Sequence, residues 1–268
     1  MYDVNYAYLN KLLLNSFTKY FPKTINRKLF RIYRIYFVPT FFKILPKNFY
    51  PITTNFNDQE EIIVKYTQSK KLINQTTFKN LDFLLNRIFK KKFFNFIDIG
   101  GDNIDLYLHL NRINNINQYF VYNFKKIILI FKRIKTKYLF NNFFPIDDIN
   151  KIKQIDFVYF GSCIQYFKFY KYFLSKIFFM KPKYILFSGT SFFLDKINAD
   201  KIIVKQTNIL PHLIYLYFFN LQKFIKHFED NGYKVIFKRL NNSDKINYKN
   251  FKGFINHIKY YDILFKKI

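Results

Sequence analysis

From residue 93 to the end of the chain, short apolar runs alternate with segments of helical periodicity, and this alternation limits the fold more than any other feature. The run IDFVYFGS at 155–162 is apolar almost throughout, which is typical of a strand buried on both faces. Strands that alternate with helices favour an α/β fold with a mostly parallel sheet and helices on both faces. The sequence predicts seven strands, at 93–100, 117–123, 137–144, 155–162, 181–190, 233–240 and 261–268.

The amino-terminal part has a different character, and we expect two domains, at 1–55 and 56–268. Residues 56–90 are predicted to be helical, with Asn57 or Asp58 as the N-cap. The segment RKLFRIYRIYFV, at 27–38, predicts a basic amphipathic helix in an N-terminal helical extension. Its arginines, Arg27, Arg31 and Arg34, could contact an anionic membrane. Alternatively, the helix packs its apolar side on the domain and leaves the arginines in solvent.

The net charge of +28 suggests an anionic partner, but the composition gives it another origin. The abundant residues, Phe, Tyr, Ile, Asn and Lys, have A/T-rich codons, whereas Ala occurs twice and Trp is absent. Of the 45 basic residues, 38 are Lys, although recognition of bases and phosphates favours Arg. We therefore expect most of this charge to be solvated surface, and we do not expect a nucleic-acid partner.

The remaining composition points to a globular protein in a reducing compartment. Half of the residues are hydrophobic, which supplies a sizeable core. The single cysteine, Cys163, excludes a disulfide within the chain, and we expect a buried thiol there rather than a nucleophile.

Neither a secretory signal nor a transmembrane run is evident, so the predicted location is the cytoplasm, including the inner face of the membrane. We expect no metal, because no Cys/His cluster has ligand spacing.

Small and polar residues lie at or just after the carboxyl ends of the predicted strands, which is the edge where α/β proteins bind ligands. They are Asp98 with Gly100 and Gly101, Asn123, Asp147 with Asp148, Gly161 with Ser162, and Ser188 with Gly189. Glycine lets the backbone approach a ligand without a Cβ atom, and a following helix presents free N–H groups. The stretch from Gly100 to Asp105 reads G-G-D-N-I-D, which departs from the G-x-G-x-x-G typical of NAD enzymes.

Several segments resemble a family of class I methyltransferases that is often found with surface-polysaccharide genes. The segments are FNFIDIGGDNIDLYL, IDFVYFGSCIQYF, KPKYILFSGTSF, IIVKQTNILP and LQKFIKHFEDNGYKVIFKRL, with FNDQEEIIVKYT upstream, and they cover most of 56–240. The tryptophan expected in the upstream segment is absent.

The resemblance implies a Rossmann-like fold and S-adenosylmethionine as the cofactor. The positions that match the cofactor site are Asp98, Gly100, Gly101, Asp102, Asn123, Gly161 and Ser162. Asn123 replaces the acid that binds the ribose in this family, and Asp102 and Ile104 depart from the family's glycine pattern. The positions that match the substrate side are Gln165, Tyr166, Gln206 and Asn208.

His212 is a candidate base, since it is the only histidine near Gln206, although a histidine with a local structural role is the alternative. The predicted function is methylation of a sugar or other small molecule of envelope biosynthesis. A degenerate Rossmann-like protein, attached to a membrane or envelope complex through its basic helix, is the second hypothesis. Methylation of RNA is a third, and only the charge supports it.

Overall fold

The computed structural model describes residues 36–40, 44–45, 54–68, 75–90, 92–113, 115–194, 199–209, 212–241 and 258–268. These residues divide into two compact units. The large unit draws on Ile52–Thr190, Ile225–Asn241 and Tyr260–Ile268. The small unit draws on Met1–Pro51, Ser191–Phe224 and Asn242–Lys259. The boundary between the units falls within strand β6, and each unit is described separately below.

The large unit is built on a sheet with the strand order β4-β3-β2-β5-β6-β10-β9. Strands β2 to β6 pair in parallel, and β10 pairs with β9 in antiparallel fashion. The strands are β2 (Phe94–Ile99), β3 (Ile116–Tyr122), β4 (Phe143–Ile146), β5 (Phe157–Gly161), β6 (Tyr184–Phe193), β9 (Tyr233–Leu240) and β10 (Ile258–Lys267). The predicted mostly parallel sheet is confirmed, but the described strands of the sheet number ten rather than the seven predicted.

Helices connect these strands and cover the sheet. They are α1 (Phe56–Gln68), α2 (Gln75–Phe89), α3 (Asp105–Ile113), α4 (Lys125–Tyr138), α5 (Tyr170–Phe179) and α6 (Leu221–Glu229), and α6 crosses the unit boundary. Short 3₁₀ turns occupy Ile149–Lys151 and Ile164–Tyr166. In the described part of the chain, no helix has the length and apolar character needed to cross a bilayer.

The core of the large unit forms because its central strands are apolar on both faces. Phe96 of β2 and Phe157 of β5 are fully buried, and their rings stack with centroids 5.5 Å apart. Ile97, Val158 and Phe160 are also fully buried. Burial on both faces is what a continuous apolar run predicts, and it fixes β2 and β5 as neighbours at the centre of the sheet.

Two boundaries differ from the sequence prediction for local reasons. Asn55, not Asn57 or Asp58, caps α1, because its Oδ1 accepts the Asp58 N–H at 2.9 Å and its Nδ2 donates to the Asp58 carboxylate. The strand expected at 137–144 begins only at Phe143. Helix α4 continues to Tyr138, and Leu139 ends it in the left-handed conformation at φ 54°.

The small unit contains three strands that the sequence did not predict. They are β1 (Tyr36–Thr40), β7 (Lys201–Ile209) and β8 (His212–Asn220). Strand β7 pairs with β1 and with β8, antiparallel in both cases, and the last residues of β6 pair with the end of β8. Tyr36–Val38 therefore belong to a strand, which corrects the end of the helix predicted at 27–38. The rest of that helix, with its three arginines, lies outside the described residues.

Candidate active site

The candidate site lies in the large unit, at the carboxyl ends of β2 and β5. From β2 the chain moves outward through β3 to β4 and then returns to β5, on the other side of β2. Strand order therefore reverses between β2 and β5, and this reversal opens a crevice at the carboxyl edge of an α/β sheet. The turn after β2 carries Gly100 and Gly101, and the turn after β5 begins at Ser162.

Asp98 is buried beneath the glycine turn rather than exposed on it. Its side chain is 4% exposed, and its Oδ2 accepts a hydrogen bond of 3.0 Å from the Tyr119 hydroxyl. Burial raises the pKa of Asp98 to about 7; the nearby carboxylates of Asp102 and Asp105 act in the same direction, while the Tyr119 hydroxyl opposes it. A Cβ atom on Gly101 would lie 2.2 Å from Asp98 Oδ2. Glycine is required there because the carboxyl group occupies the space of a side chain.

Gly100 has a different requirement. Its φ is +81°, and a Cβ atom would lie 2.8 Å from the Cβ of Cys163. The Cys163 thiol donates to the Ile99 carbonyl, with sulfur and oxygen 2.9 Å apart, and burial raises the pKa of the thiol well above its usual range. Cys163 thus packs the two turns together as a protonated thiol, which agrees with the expectation that it is not a nucleophile.

Residues 101–104, here called the cofactor loop, are bound by side chains from outside the loop. Asn123 Nδ2 donates to the Gly101 carbonyl at 2.7 Å, and its Oδ1 accepts from the Phe124 N–H at 2.7 Å. Asp102 is exposed at the surface of the loop, whereas Ile104 is fully buried. Asn123 therefore braces the loop; its predicted contact with a ribose stays a prediction.

The turn after β5 is bound to β6. Ser162, at φ 54°, donates its N–H to the Ser188 carbonyl at 2.8 Å. Gln165 is 2% exposed, and its Nε2 donates to the Ser162 carbonyl at 2.8 Å. Tyr166, half-buried, ends the following 3₁₀ turn. Gly161 and Ser162 are exposed beside the crevice, while Gln165 supports the turn from below.

Asp262 of β10 is a buried residue that the sequence analysis missed. Its Oδ1 accepts from the Gly189 N–H, the Ser188 hydroxyl and Asn241 Nδ2, at 2.9, 2.9 and 3.0 Å. An acid inside the apolar run YYDILF was the available signal, because a buried carboxylate needs partners. Gln59 of α1 and Thr54 before it were missed as well, although Gln59 shares a helix face with the buried Ile63.

A cavity of about 400 Å³ opens at the carboxyl ends of β3 and β4. Tyr122 ends β3, Asp147 and Asp148 follow β4, and Phe167 follows the second 3₁₀ turn. Burial raises the pKa of Tyr122, as do the two aspartates. The full lining comprises Tyr122, Asp147, Asp148, Ile149, Phe167, Lys168, Phe169, Tyr172, Phe173 and Lys176. The volume and the mixture of aromatic and acidic groups suit a planar ligand that donates hydrogen bonds.

The remaining predicted residues belong to the small unit. Gln206 and Asn208 lie in β7, and His212 begins β8. Their side chains are outside the described residues, so their predicted roles stay predictions. Among the described residues, no group of three or more His, Cys, Asp or Glu side chains could bind a metal ion.

Comparison with known proteins finds similarity in structure only. No protein-family model and no curated protein matches the sequence. The [4+2]-cyclase SpnF aligns with a TM-score of 0.50 and 9% identity, over 83% of this chain and 98% of that one. An S-adenosylmethionine-dependent methyltransferase from Clostridium acetobutylicum ATCC 824 aligns with a TM-score of 0.48 and 10% identity, over 79% and 98%. Magnesium protoporphyrin IX methyltransferase from Synechocystis PCC 6803, with bound S-adenosylmethionine, aligns with a TM-score of 0.47 and 11% identity, over 80% of this chain and 93% of that one.

These findings define the class of fold. The strand order β4-β3-β2-β5-β6-β10-β9 and the alignment with SpnF give the chain a Rossmann-like α/β fold. At about 10% identity the similarity concerns the fold, and the activity must be argued from the site.

Proposed function

We propose that the protein is an S-adenosylmethionine-dependent methyltransferase that acts on a small molecule. The main support is the glycine turn over Asp98, which lies at the strand-order reversal beside the cavity of Tyr122 and Phe167. S-adenosylmethionine carries a methyl group on a positively charged sulfur. A nucleophile can accept that methyl group directly, with S-adenosylhomocysteine as the leaving group.

The residues of the site fit the two ends of this cofactor. The cavity at Tyr122, Asp148 and Phe167 offers aromatic rings and a carboxylate, which suit the adenine ring and its amino group. The cofactor loop offers backbone N–H groups for the amino acid carboxylate. The exposed carboxylate of Asp102 suits the ammonium group.

The proposal also assigns residues to the side of the site where the molecule that accepts the methyl group binds. Gly161, Ser162 and Tyr166 lie along the turn after β5, next to the glycine turn that Cys163 contacts. We assign Gln165 to support of this turn, because it is buried and bonded to Ser162. A sugar or other small molecule of envelope biosynthesis as the acceptor, and His212 as its base, rest on the sequence resemblance alone.

Calorimetry with S-adenosylmethionine tests the proposal. At pH 8, above the pKa of Asp98, the variant Asp98→Asn should weaken binding by about 10-fold or more, since it removes the negative charge beneath the cofactor loop. Asp156→Asn is a matched control: Asp156 is also buried and accepts the Asn95 N–H at 2.9 Å, but it precedes β5 at the opposite edge of the sheet. The control should bind as the wild type does. Folded wild-type protein that binds neither S-adenosylmethionine nor S-adenosylhomocysteine would refute the proposal.

That negative result would favour the second hypothesis, a degenerate Rossmann-like protein on a membrane or envelope complex. Liposome sedimentation distinguishes it. Binding to anionic vesicles that is lost when Arg27, Arg31 and Arg34 are replaced together would support attachment through the basic segment. A failure to bind anionic vesicles would exclude that attachment.

A further inference from the structure

The cofactor loop is fixed by three side chains that come from two separate parts of the large unit. Asn123, after β3, donates to the Gly101 carbonyl, and Thr54, before α1, donates its hydroxyl to the Asp102 carbonyl, both at 2.7 Å. Gln59 of α1 accepts the Ile104 N–H on its Oε1 at 2.8 Å. Both ends of the loop are therefore bonded to the surrounding scaffold.

We propose that Gln59 is the positioning residue of the cofactor loop, with Thr54 as its partner, and that the pair sets affinity for the amino acid end of the cofactor. This inference rests on the proposed function, because it assumes that S-adenosylmethionine binds at the loop.

Burial makes the Gln59 contact obligatory. Gln59 is 2% exposed and Ile104 is fully buried, so the Ile104 N–H has no access to water. Ile104 immediately precedes α3, where N–H groups have no partner within the helix. A buried N–H without a partner is costly, and Gln59 supplies that partner. Asn55 fixes the start of α1 and thereby places Gln59 one turn later.

The carbonyl contacts determine where the loop can bind a ligand. In a trans peptide the C=O of one residue and the N–H of the next point in opposite directions. Since the carbonyls of Gly101 and Asp102 point toward Asn123 and Thr54, the N–H groups of Asp102 and Asn103 are directed away from them. Backbone N–H groups that are turned away from these scaffold contacts suit a carboxylate, such as that of the cofactor's amino acid.

The inference predicts selective effects on ligands. S-adenosylmethionine and S-adenosylhomocysteine carry an amino acid end, whereas 5′-methylthioadenosine has the same adenosine without it. A change at Gln59 should weaken the binding of S-adenosylmethionine and S-adenosylhomocysteine and leave the binding of 5′-methylthioadenosine unaffected. A general loosening of the fold would weaken all three equally.

The test is calorimetry with these three ligands on Gln59→Met, which has similar length but no acceptor. The Kd for S-adenosylmethionine and S-adenosylhomocysteine should rise about 10-fold or more, and that for 5′-methylthioadenosine less than about twofold. Gln59→Glu keeps an acceptor oxygen and should remain within about threefold of the wild type. Asn57→Met, at an exposed position on the same helix, is the control and should change none of the three.

Unaltered S-adenosylmethionine binding by folded Gln59→Met, or an equal loss for all three ligands, would overturn the inference while the proposed function stands. If Gln59→Met does not fold, Thr54→Val carries the test, because it removes the donor to Asp102 at a half-buried position. The same selective loss is expected, and an equal loss or no loss refutes the inference. Wild-type protein that binds no S-adenosylmethionine refutes the proposed function itself.

Discussion

Asp98 shows how a single residue can impose a stability cost at a candidate site. Its carboxyl is buried under Gly101 and has one neutral donor, Tyr119, to offset the loss of water. Natural proteins retain such costs mainly where a site needs the group. Asp98 is therefore informative in two ways, through its effect on stability and through its effect on the cofactor loop.

The pKa of Asp98 predicts a pH-dependent stability. The pKa of Asp98 is about 7 in the folded protein against an ordinary value of 3.8, so between these values the folded state keeps a proton that the unfolded state has lost. The contribution of Asp98 to stability is therefore greatest at low pH, falls as pH rises through this window and is constant above about 7. The side chain of Asp98→Asn does not titrate. Above pH 7, the free energy of unfolding of this variant should exceed that of the wild type by roughly a few kcal/mol. Urea denaturation near pH 5 and pH 8 checks this, and an equal difference at both pH values would contradict it.

The contact between Gly101 and Asp98 predicts a second effect on stability. Gly101→Ala places a Cβ atom where Asp98 Oδ2 now lies, and we expect a loss of about 1–3 kcal/mol in the free energy of unfolding. In an Asp98→Ala background the same change should cost much less, because the clashing group is absent. A double-mutant cycle by urea denaturation measures this coupling, and strictly additive effects would disprove it.

At the scale of elements, the N-cap of α1 links helix stability to the candidate site. Asn55→Ala removes the acceptor for the Asp58 N–H and should destabilise the protein by about 1 kcal/mol. Asn57→Ala, two residues later and exposed, should stay within about 0.5 kcal/mol of the wild type. Thermal denaturation of the two variants side by side checks the difference. Equal losses would show that Asn55 has no capping role.

The elements of the large unit could be predicted because their signals are local. Strands such as β2 and β5 are short apolar runs, and the turns after them contain glycine and serine. The start of β4 was predicted too early, since nothing in 137–142 distinguishes a helix end at Tyr138 from a strand. The strands of the small unit were missed, because β1 pairs with β7 across more than 160 residues of sequence, a contact that local periodicity does not report.

The residues of the candidate site were likewise predictable only where their signals are local in the sequence. Asp98, Gly100, Gly101 and Asn123 could be found because they lie at the carboxyl ends of predicted strands. Gln59 and Asp262 act through contacts with residues 45 and 73 positions away, so their polar character was visible but their partners were not. The burial of Asp98 likewise depends on Tyr119 of the neighbouring strand.

At the scale of the whole molecule, the charge exceeds what pairing can neutralise. The chain has 45 basic and 17 acidic residues, so even complete pairing would leave 45 − 17 = 28 cations without an acid. In the described part of the chain, ion pairs such as Lys151–Asp147 and Lys183–Asp156 neutralise lysines of turns and loops with nearby acids. The remaining cations repel one another across the surface, and this repulsion opposes the compact state.

Salt should therefore stabilise this protein. Between about 0.01 M and about 0.15 M NaCl the Debye length falls from about 30 Å to about 8 Å, which screens most of the repulsion between surface charges. The midpoint of thermal unfolding should rise over this range. Sucrose, which is uncharged, serves as the control for effects of added solute and should give no comparable rise at the same osmolality. A midpoint that falls as NaCl is added would show that attractive pairs outweigh the net repulsion, and that the excess lysines are arranged around acids rather than spread over the surface.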